Sequence, residues 1–319
     1  MRKFYPEGWL IDSPANKKAL SSPTALADAA AKGDILEARA VLCDTDHNLI
    51  VDLGCMRGII PRVEGAIGIA SGKVRDIAIL SRVNKPVCFV VTGIKTDPDD
   101  RPYALLSRRI AQERCQQEYI SNLRPGDIIN ARITHLENFG VFCDIGCGIV
   151  ALLPIDAISV SRISHPSDRF RTGTDIRVVV KDFDDEGRIT LTHKELLGTW
   201  EQNAALFSQG ETVSGIIRSV EDYGVFVELT PNLAGLAEPY PGARPNQQAC
   251  VYIKSIIPEK MKIKLIIIDA FDADYSPGPI KYFYKEDYIE SWYYSPENCN
   301  KTIETHFMQK LVSSRKGGL

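Results

Sequence analysis

Two aromatic pairs carry the chemistry for which this chain is equipped: Phe139-Gly140-Val141-Phe142 and Tyr223-Gly224-Val225-Phe226. A flat ring held in solvent offers its π face to an unpaired base, and each base stacked in this way gives about 1–3 kcal/mol. In a regular strand, residues three apart point to opposite faces. Two rings at that spacing share a face only if the backbone takes an extra bend. A glycine, the residue that permits a bulge, sits between them in both phrases. The alternative for either motif is that one ring, Phe142 or Phe226, turns into the core. Two copies of the same design favour a pair of outward stacking platforms.

Those rings lie inside a longer repeat. Gly33-Asp34-Ile35-Leu36-Glu37-Ala38-Arg39 returns as Gly126-Asp127-Ile128-Ile129-Asn130-Ala131-Arg132, and more loosely as Gly210-Glu211-Thr212-Val213-Ser214-Gly215-Ile216. Spacings of roughly 93 and roughly 84 residues suit one small domain per copy rather than a solenoid unit. The chain therefore reads as three copies of one β module, with rings kept in two of them.

Strands are expected in module one at Ile35–Leu42, Asn48–Leu53, Ile77–Val83 and Val87–Ile94, with Ile59–Pro61 marginal. In module two they are Ile128–Leu136, Gly140–Ile145, Ile149–Leu153, Asp175–Phe183 and Arg188–Thr192, with a hairpin turn at Asp184–Gly187. In module three they are Thr212–Ser219, Gly224–Leu229, Ala249–Ile257 and Lys262–Ile268. Leu106–Leu123 and His193–Ser208 read as helices, the second burying Trp200 on its apolar face. Residues 1–23 read as a loose arm, followed by an alanine-rich helical turn at Ala25–Ala31. The tail is crowded with Tyr275, Tyr282, Phe283, Tyr284, Tyr288, Trp292, Tyr293, Tyr294 and Phe307. So many rings are expected to pack onto module three, with a helix near Lys301–Val312.

Module two resembles the S1-type RNA-binding domain, the five-stranded OB barrel of ribosomal protein S1 and polynucleotide phosphorylase. The resemblance rests on Phe139-Gly140-Val141-Phe142, then Ala151-Leu152-Leu153-Pro154, Asp184, and Arg188-Ile189-Thr190-Leu191-Thr192-His193-Lys194. It implies an RNA face at Phe139, Phe142, Asp184 and Arg188, with Pro154 replacing the family's histidine. Module three matches at Tyr223, Phe226, Gly235-Leu236-Ala237-Glu238 and Lys262-Ile263-Lys264-Leu265. There Lys262 stands for the arginine, Pro258 for the aspartate and Glu238 for the histidine, and the acidic Glu238 opposes phosphate. Module one keeps the opening phrase but has His47 and Ile50 where the rings should lie, so it loses the stacking contribution.

The whole chain is similar to a short, three-module bacterial relative of the ribosomal protein S1 family. The implied architecture is all-β: three tandem S1-type five-stranded OB barrels joined by short α-helices, with an aromatic-rich C-terminal extension. The expected boundaries are an arm at 1–31, modules at 32–107, 124–194 and 209–269, linker helices at 108–123 and 195–208, and the extension at 270–319. The implied partner is single-stranded RNA, with mRNA in translation foremost and the small ribosomal subunit as a second partner. A protein–protein adaptor built on OB barrels, or an accessory subunit in RNA decay, are the rival functions.

Composition bounds these expectations. The 319 residues are 44% hydrophobic and 25% charged, ordinary for a globular protein. Met1–Ser13 has no apolar run of a secretory signal, and no stretch reaches membrane-span length. A cytoplasmic protein without membrane partners is expected, its eight cysteines reduced. The net charge of -3 is unusual for a phosphate binder. Local sign matters more, because fields are screened within about 8–10 Å. Arg162, Arg169, Arg171 and Arg177 form one candidate basic edge, and Lys254, Lys260, Lys262 and Lys264 another. Gly68-Ile69-Ala70-Ser71-Gly72-Lys73-Val74 falls one residue short of a phosphate loop and lacks its hydroxyl. The histidines show no metal-ligand spacing and no serine elbow is present, so neither cofactor, metal nor catalysis is expected.

Overall fold

A computed structural model describes residues 4–273 and 278–307. Packing divides the chain into two units. The first runs to Leu123 and adds Asn130–Arg132 and Asp144–Val150; the second holds Arg124–Ile129, Ile133–Cys143 and the residues from Ala151 onward.

In the first unit, helices α1 (Pro14–Ala19) and α2 (Pro23–Lys32) precede β1 (Leu36–Cys43), β2 (Leu49–Asp52) and β3 (Arg57–Ile60). A helical turn, α3 (Ile77–Leu80), leads to β4 (Pro86–Thr96), β5 (Pro102–Ser107) and helix α4 (Arg108–Glu118). The five strands close as a barrel in the order β1-β2-β3-β5-β4. Leu49, Val51, Ile60, Phe89 and Leu106 fill it, and Leu26 of α2 and Ile79 of α3 join the same core.

Three expectations change here. Ile77–Val83 is not a strand: amides of Ile79, Leu80 and Ser81 bond back to Asp76 and Ile77, and the run folds as a turn. The missing strand is β5, which takes Leu106 and Ser107 from the expected helix. Leu106 is sealed in the barrel, and the Ser107 hydroxyl accepts from the Ile110 amide at 3.0 Å, so α4 starts at Arg108. Within the expected loose arm, residues 4–23 are not loose. The buried Glu7 carboxylate accepts from Arg108 Nε at 2.6 Å and the Cys88 amide at 3.1 Å. Burial pushes the Glu7 carboxyl up, but Arg108 and Arg82 outweigh it and hold it below its ordinary value. Asn16 pairs with the backbone of Glu37 through both ends of its amide, at 2.8 and 2.9 Å.

Barrel two follows with β6 (Ile128–Glu137), β7 (Gly140–Gly146), β8 (Ile149–Pro154), β9 (Asp175–Phe183) and β10 (Ile189–Thr192). It closes in the order β10-β8-β7-β6-β9, through the parallel pair Thr190–Leu152. After the five-residue helix α5 (Trp200–Ala204) come β11 (Thr212–Glu221), β12 (Gly224–Thr230), β13 (Leu233–Ala237), β14 (Gln248–Ile257) and β15 (Lys262–Phe271). These form the third barrel, in the order β11-β12-β13-β15-β14. The fold is all-β, with three OB-like modules. All eight cysteines are free thiols.

The expected helix over His193–Ser208 is interrupted at Gly198, whose φ of +87° favours glycine and whose added Cβ would meet the Phe283 ring at 2.7 Å. A 3₁₀ turn lies before it and α5 after it, opened by a reciprocal Thr199–Gln202 cap. Trp200 is buried, as expected.

The tail adds β16 (Ser291–Tyr293) and β17 (Glu304–His306), which pair with each other. The strand β17 replaces the start of the helix expected near Lys301–Val312; residues 308–312, like Tyr275, lie outside the described residues. Trp292, Tyr294 and Phe307 are buried in one core with module three. That core also takes in Ile128 and Val179 of module two. These tail rings therefore share a core with both modules, not with module three alone, whereas Tyr288 and Tyr293 stay exposed.

Candidate nucleic-acid interface

The ring pairs owe their geometry to hairpin turns. In module three, β11 and β12 pair up to Glu221–Gly224, leaving Asp222 and Tyr223 as the turn. Tyr223 stands at the tip, 67% exposed, while Phe226 is half-buried two residues into β12. Their centroids are 6.2 Å apart with planes at 89°. In module two, Asn138 and Phe139 form the turn between β6 and β7; Phe139 is 55% exposed and Phe142 half-buried. Those rings are 6.0 Å apart at 86°. An edge-to-face pair sets the positive rim of one ring against the negative face of the other. The outer rings, Phe139 and Tyr223, keep more than half of their surface in solvent.

The glycine between the rings does a different job from the one expected. Strand alternation does not apply to Phe139 or Tyr223, because each lies in a turn. The bulge in module three falls at Arg218 on β11, between the pairs Ile217–Val227 and Ser219–Phe226. Gly224 instead allows backbone contact: its added Cβ would sit 2.4 Å from the Ala237 carbonyl on β13. Gly140 meets the Leu153 carbonyl at 2.5 Å in the same way.

Asp184 and Arg188 lie together at the β9–β10 turn. One Asp184 oxygen accepts from the amides of Glu186 (2.9 Å) and Arg188 (2.8 Å), and the other from Arg188 Nε at 2.6 Å. The Arg188 hydrogen bond, with those amides, holds the Asp184 carboxyl below its ordinary range. Arg188 also meets Glu186 at 3.1 Å, so two carboxylates share its exposed charge. Asp184 is thus the residue that shapes the turn. Asp97 does the same in module one, accepting from the amides of Asp99 and Arg101.

In module three, Lys262 opens β15 opposite Ile257, away from the ring pair in register. The lysine beside the rings is Lys264: Phe226 pairs with Leu236, and Leu236 with Lys264. Lys262, Lys264, Ile266 and Ile268 alternate outward along β15. That alternation, legible in the sequence, could have singled out Lys264. Lys254 meets Glu238 at 3.4 Å, so part of this acidic charge is compensated.

The expected basic edge of Arg162–Arg177 is mostly spent on structure. Arg169 is buried against Glu228. Arg177 donates to the carbonyls of Tyr284 and Glu286 at 2.9 and 2.7 Å. Arg171 donates to the carbonyls of Ser167 and Phe170. In module one, the row that carries Phe226 in module three is aliphatic: Leu42 pairs with Ile50, Ile50 with Ile59 and Ile59 with Leu105. His47 turns toward Asp76 at 3.3 Å.

With this geometry in view, residues 122–194 match the family described as the S1 RNA binding domain. The chain resembles the ribosomal protein S1 family. It is 32% identical to the small ribosomal subunit protein bS1 of Leuconostoc lactis over 65% of this chain and 47% of that protein. It is 31% identical to the bS1 homolog of Bacillus subtilis over 59% of this chain and 48% of that protein. The chain thus spans about half the length of these curated relatives. Among solved structures, it is similar to a multidomain protein with nucleic acid binding domains from Streptococcus pneumoniae, at 14% identity and a TM-score of 0.24 over 74% of each chain. It is also similar to GSP13 from Bacillus subtilis, at 18% identity and a TM-score of 0.23 over 28% of this chain and 75% of that one. Among the described residues, no helix is long and apolar enough to cross a membrane.

Proposed function

We propose that the chain binds single-stranded RNA by stacking bases on Phe139–Phe142 and Tyr223–Phe226, with little sequence preference. The observation that carries this reading is the recurrence, in two barrels, of an exposed ring at the β-hairpin tip set orthogonally against a half-buried ring on the following strand. Unpaired RNA is the natural target, since its bases can be splayed onto rings whereas duplex bases cannot. Lys264 beside the Tyr223–Phe226 pair, Lys262 farther along β15 and Arg188 at the β9–β10 turn are the phosphate contacts of this reading, with Asp184 fixing the turn that carries Arg188. The similarity to bS1 supports a place in translation, with mRNA as the strand and the small ribosomal subunit as the setting, in the cytoplasm. Fluorescence anisotropy of the full chain against a labelled oligouridylate and a blunt RNA duplex tests this. Preferential binding of the single strand is expected; equal or stronger duplex binding refutes the stacking site.

One observation favours a second role for module one. Its aliphatic row, Leu42-Ile50-Ile59-Leu105, replaces the ring face and suits a protein partner better than RNA.

A further inference from the structure

Barrels two and three are fastened by a buried charge lattice. Asp168 and Arg169 end a short turn between β8 and β9; Arg218 and Glu228 face each other across β11 and β12 of the third barrel. The Arg169 guanidinium donates to the Glu228 carboxylate. Arg218 donates to both oxygens of the same carboxylate, at 2.9 and 3.2 Å, and lies 3.5 Å from Asp168. Charges therefore alternate across the seam. The Arg169, Arg218 and Glu228 side chains are all at most 7% exposed. Parting the barrels would strip a buried Glu228 of one cation and leave Arg169 without its anion.

Asn232 is a second fastening. Its side-chain oxygen accepts from the Val160 amide of module two at 3.0 Å. Its amide nitrogen donates to the carbonyls of Lys194 and Gly198 in the linker, at 2.8 and 2.9 Å. The Ser161 amide reaches the neighbouring Pro231 carbonyl at 3.1 Å. The tail completes the seam. The Tyr294 hydroxyl donates to the Asn232 carbonyl, and the Trp200 amide to the Tyr294 carbonyl at 3.0 Å. Farther along, the Ile289 amide donates to the Gly126 carbonyl of module two at 2.9 Å.

The strands that hold this lattice are β11 and β12, the same hairpin that carries Tyr223 and Phe226. Arg218 is the bulge residue beside Phe226 in register. We infer that the lattice, with the tail as its strap, makes modules two and three one preorganised receptor for a single unpaired strand that reaches both ring pairs. This rests on the RNA reading above. With freely jointed modules, a strand bound at one site must search for the other. With a fixed pair, the second binding event pays no cost for ordering the modules, only that of the strand itself.

Anisotropy with labelled oligouridylates of about five and about twenty nucleotides, bracketing one and two barrel sites, tests this on the full chain. The longer strand offers more binding registers, but this raises affinity alike in native protein and variants. The readout is therefore the ratio of the two dissociation constants compared between them. Arg169→Ala is the first variant, because Arg218 still partners Glu228. It is expected to keep the short-strand constant within about twofold and to lose about tenfold or more of the long-strand advantage. Where Arg169→Ala fails to fold by near-UV circular dichroism, Tyr294→Phe carries the same comparison with its ring intact. A folded variant with an undiminished ratio overturns the inference, as does native protein that binds the short strand with no gain on the long one. Native protein that binds neither strand overturns the RNA reading itself, and this inference with it.

Discussion

Replacing Phe139 by Ala separates binding from folding better than any other change at the site. The ring stands on a turn tip and is 55% exposed, so its removal forfeits about half of the roughly 1.5–3 kcal/mol that full burial of a Phe provides. Loss of its edge contact with Phe142 adds about 0.5–1.5 kcal/mol at most. The fold therefore weakens by about 1–3 kcal/mol, within the margin of an ordinary domain. Binding should lose one stacked base, about 1–3 kcal/mol, which is about 5- to 150-fold in the dissociation constant. Removing Phe142 as well extends the loss toward about 2–6 kcal/mol if the two rings each hold a base. Two controls sharpen the test. Phe139→Trp keeps a π face and should retain affinity, whereas Phe139→Leu keeps an apolar side chain without one and should not. The assay is anisotropy of a labelled oligouridylate, with circular dichroism to confirm folding. A folded Phe139→Ala protein with an unchanged constant, or a Leu variant that binds as the native chain does, refutes stacking on this ring.

Other expectations follow from the same geometry. Asn232→Ala removes three hydrogen bonds and leaves buried partners unsatisfied, so chemical denaturation should show a loss of about 3 kcal/mol. His193 is buried, and desolvation lowers its pKa to about 4, helped by nearby Arg169. Its unfolded value is about 6.5, so the unfolded chain takes up the proton first. Stability should be complete above pH 6.5 and fall toward pH 4, by about 2 kcal/mol at pH 5; His193→Asn should flatten this part of the curve. Glu37 works in the opposite sense. Burial, reinforced by Glu7, raises its pKa to about 7, so its charged form costs stability as pH rises from about 4.5 through 7. Glu37→Gln should remove the loss between about pH 4.5 and 7 in a pH series of melting temperatures. Finally, Arg188 is shared by two carboxylates and Lys254 by Glu238. The logarithm of RNA affinity should then fall only shallowly with the logarithm of salt concentration; a steep slope would place the contact on another, more basic surface.

Module two was legible almost strand for strand, because its Val- and Ile-rich runs are bounded by unambiguous turns such as Asp184–Gly187. Module one was misread where an apolar run was too short to have one period. Ile77–Val83 serves equally as strand or helical turn, and the barrel has its fifth strand from Pro102–Ser107 instead. The strand β13 went unassigned because Gly235 and two alanines give it little β-propensity; its place comes from pairing with β12 and β15. The aromatic pairs were found from type and spacing, but for the wrong geometric reason. Their first members lie on turns, and the glycines answer to a neighbouring carbonyl that only the closed barrel supplies. Long-range electrostatics were beyond local reading. Nothing in the sequence near Arg169 names Glu228 as its partner, 59 positions away.

The fate of the arginines bears on how a chain of net charge -3 would hold the RNA proposed for it. Arg169 and Arg177 look like phosphate ligands in the sequence, yet both, with Arg218, are consumed within the fold of the second unit. Cations remain outward, among them Lys181, Lys254, Lys262 and Lys264, but Arg188 and Lys254 are shared with carboxylates and the net charge is -3. Charge alone would then give weak attachment. Stacking does not need net charge, but its yield depends on where the rings stand when the strand arrives. Burying arginines to fix the β11–β12 hairpin therefore exchanges long-range attraction for ring placement. A site of this kind should discriminate poorly among sequences, tolerate salt, and favour strands long enough to reach both ring pairs.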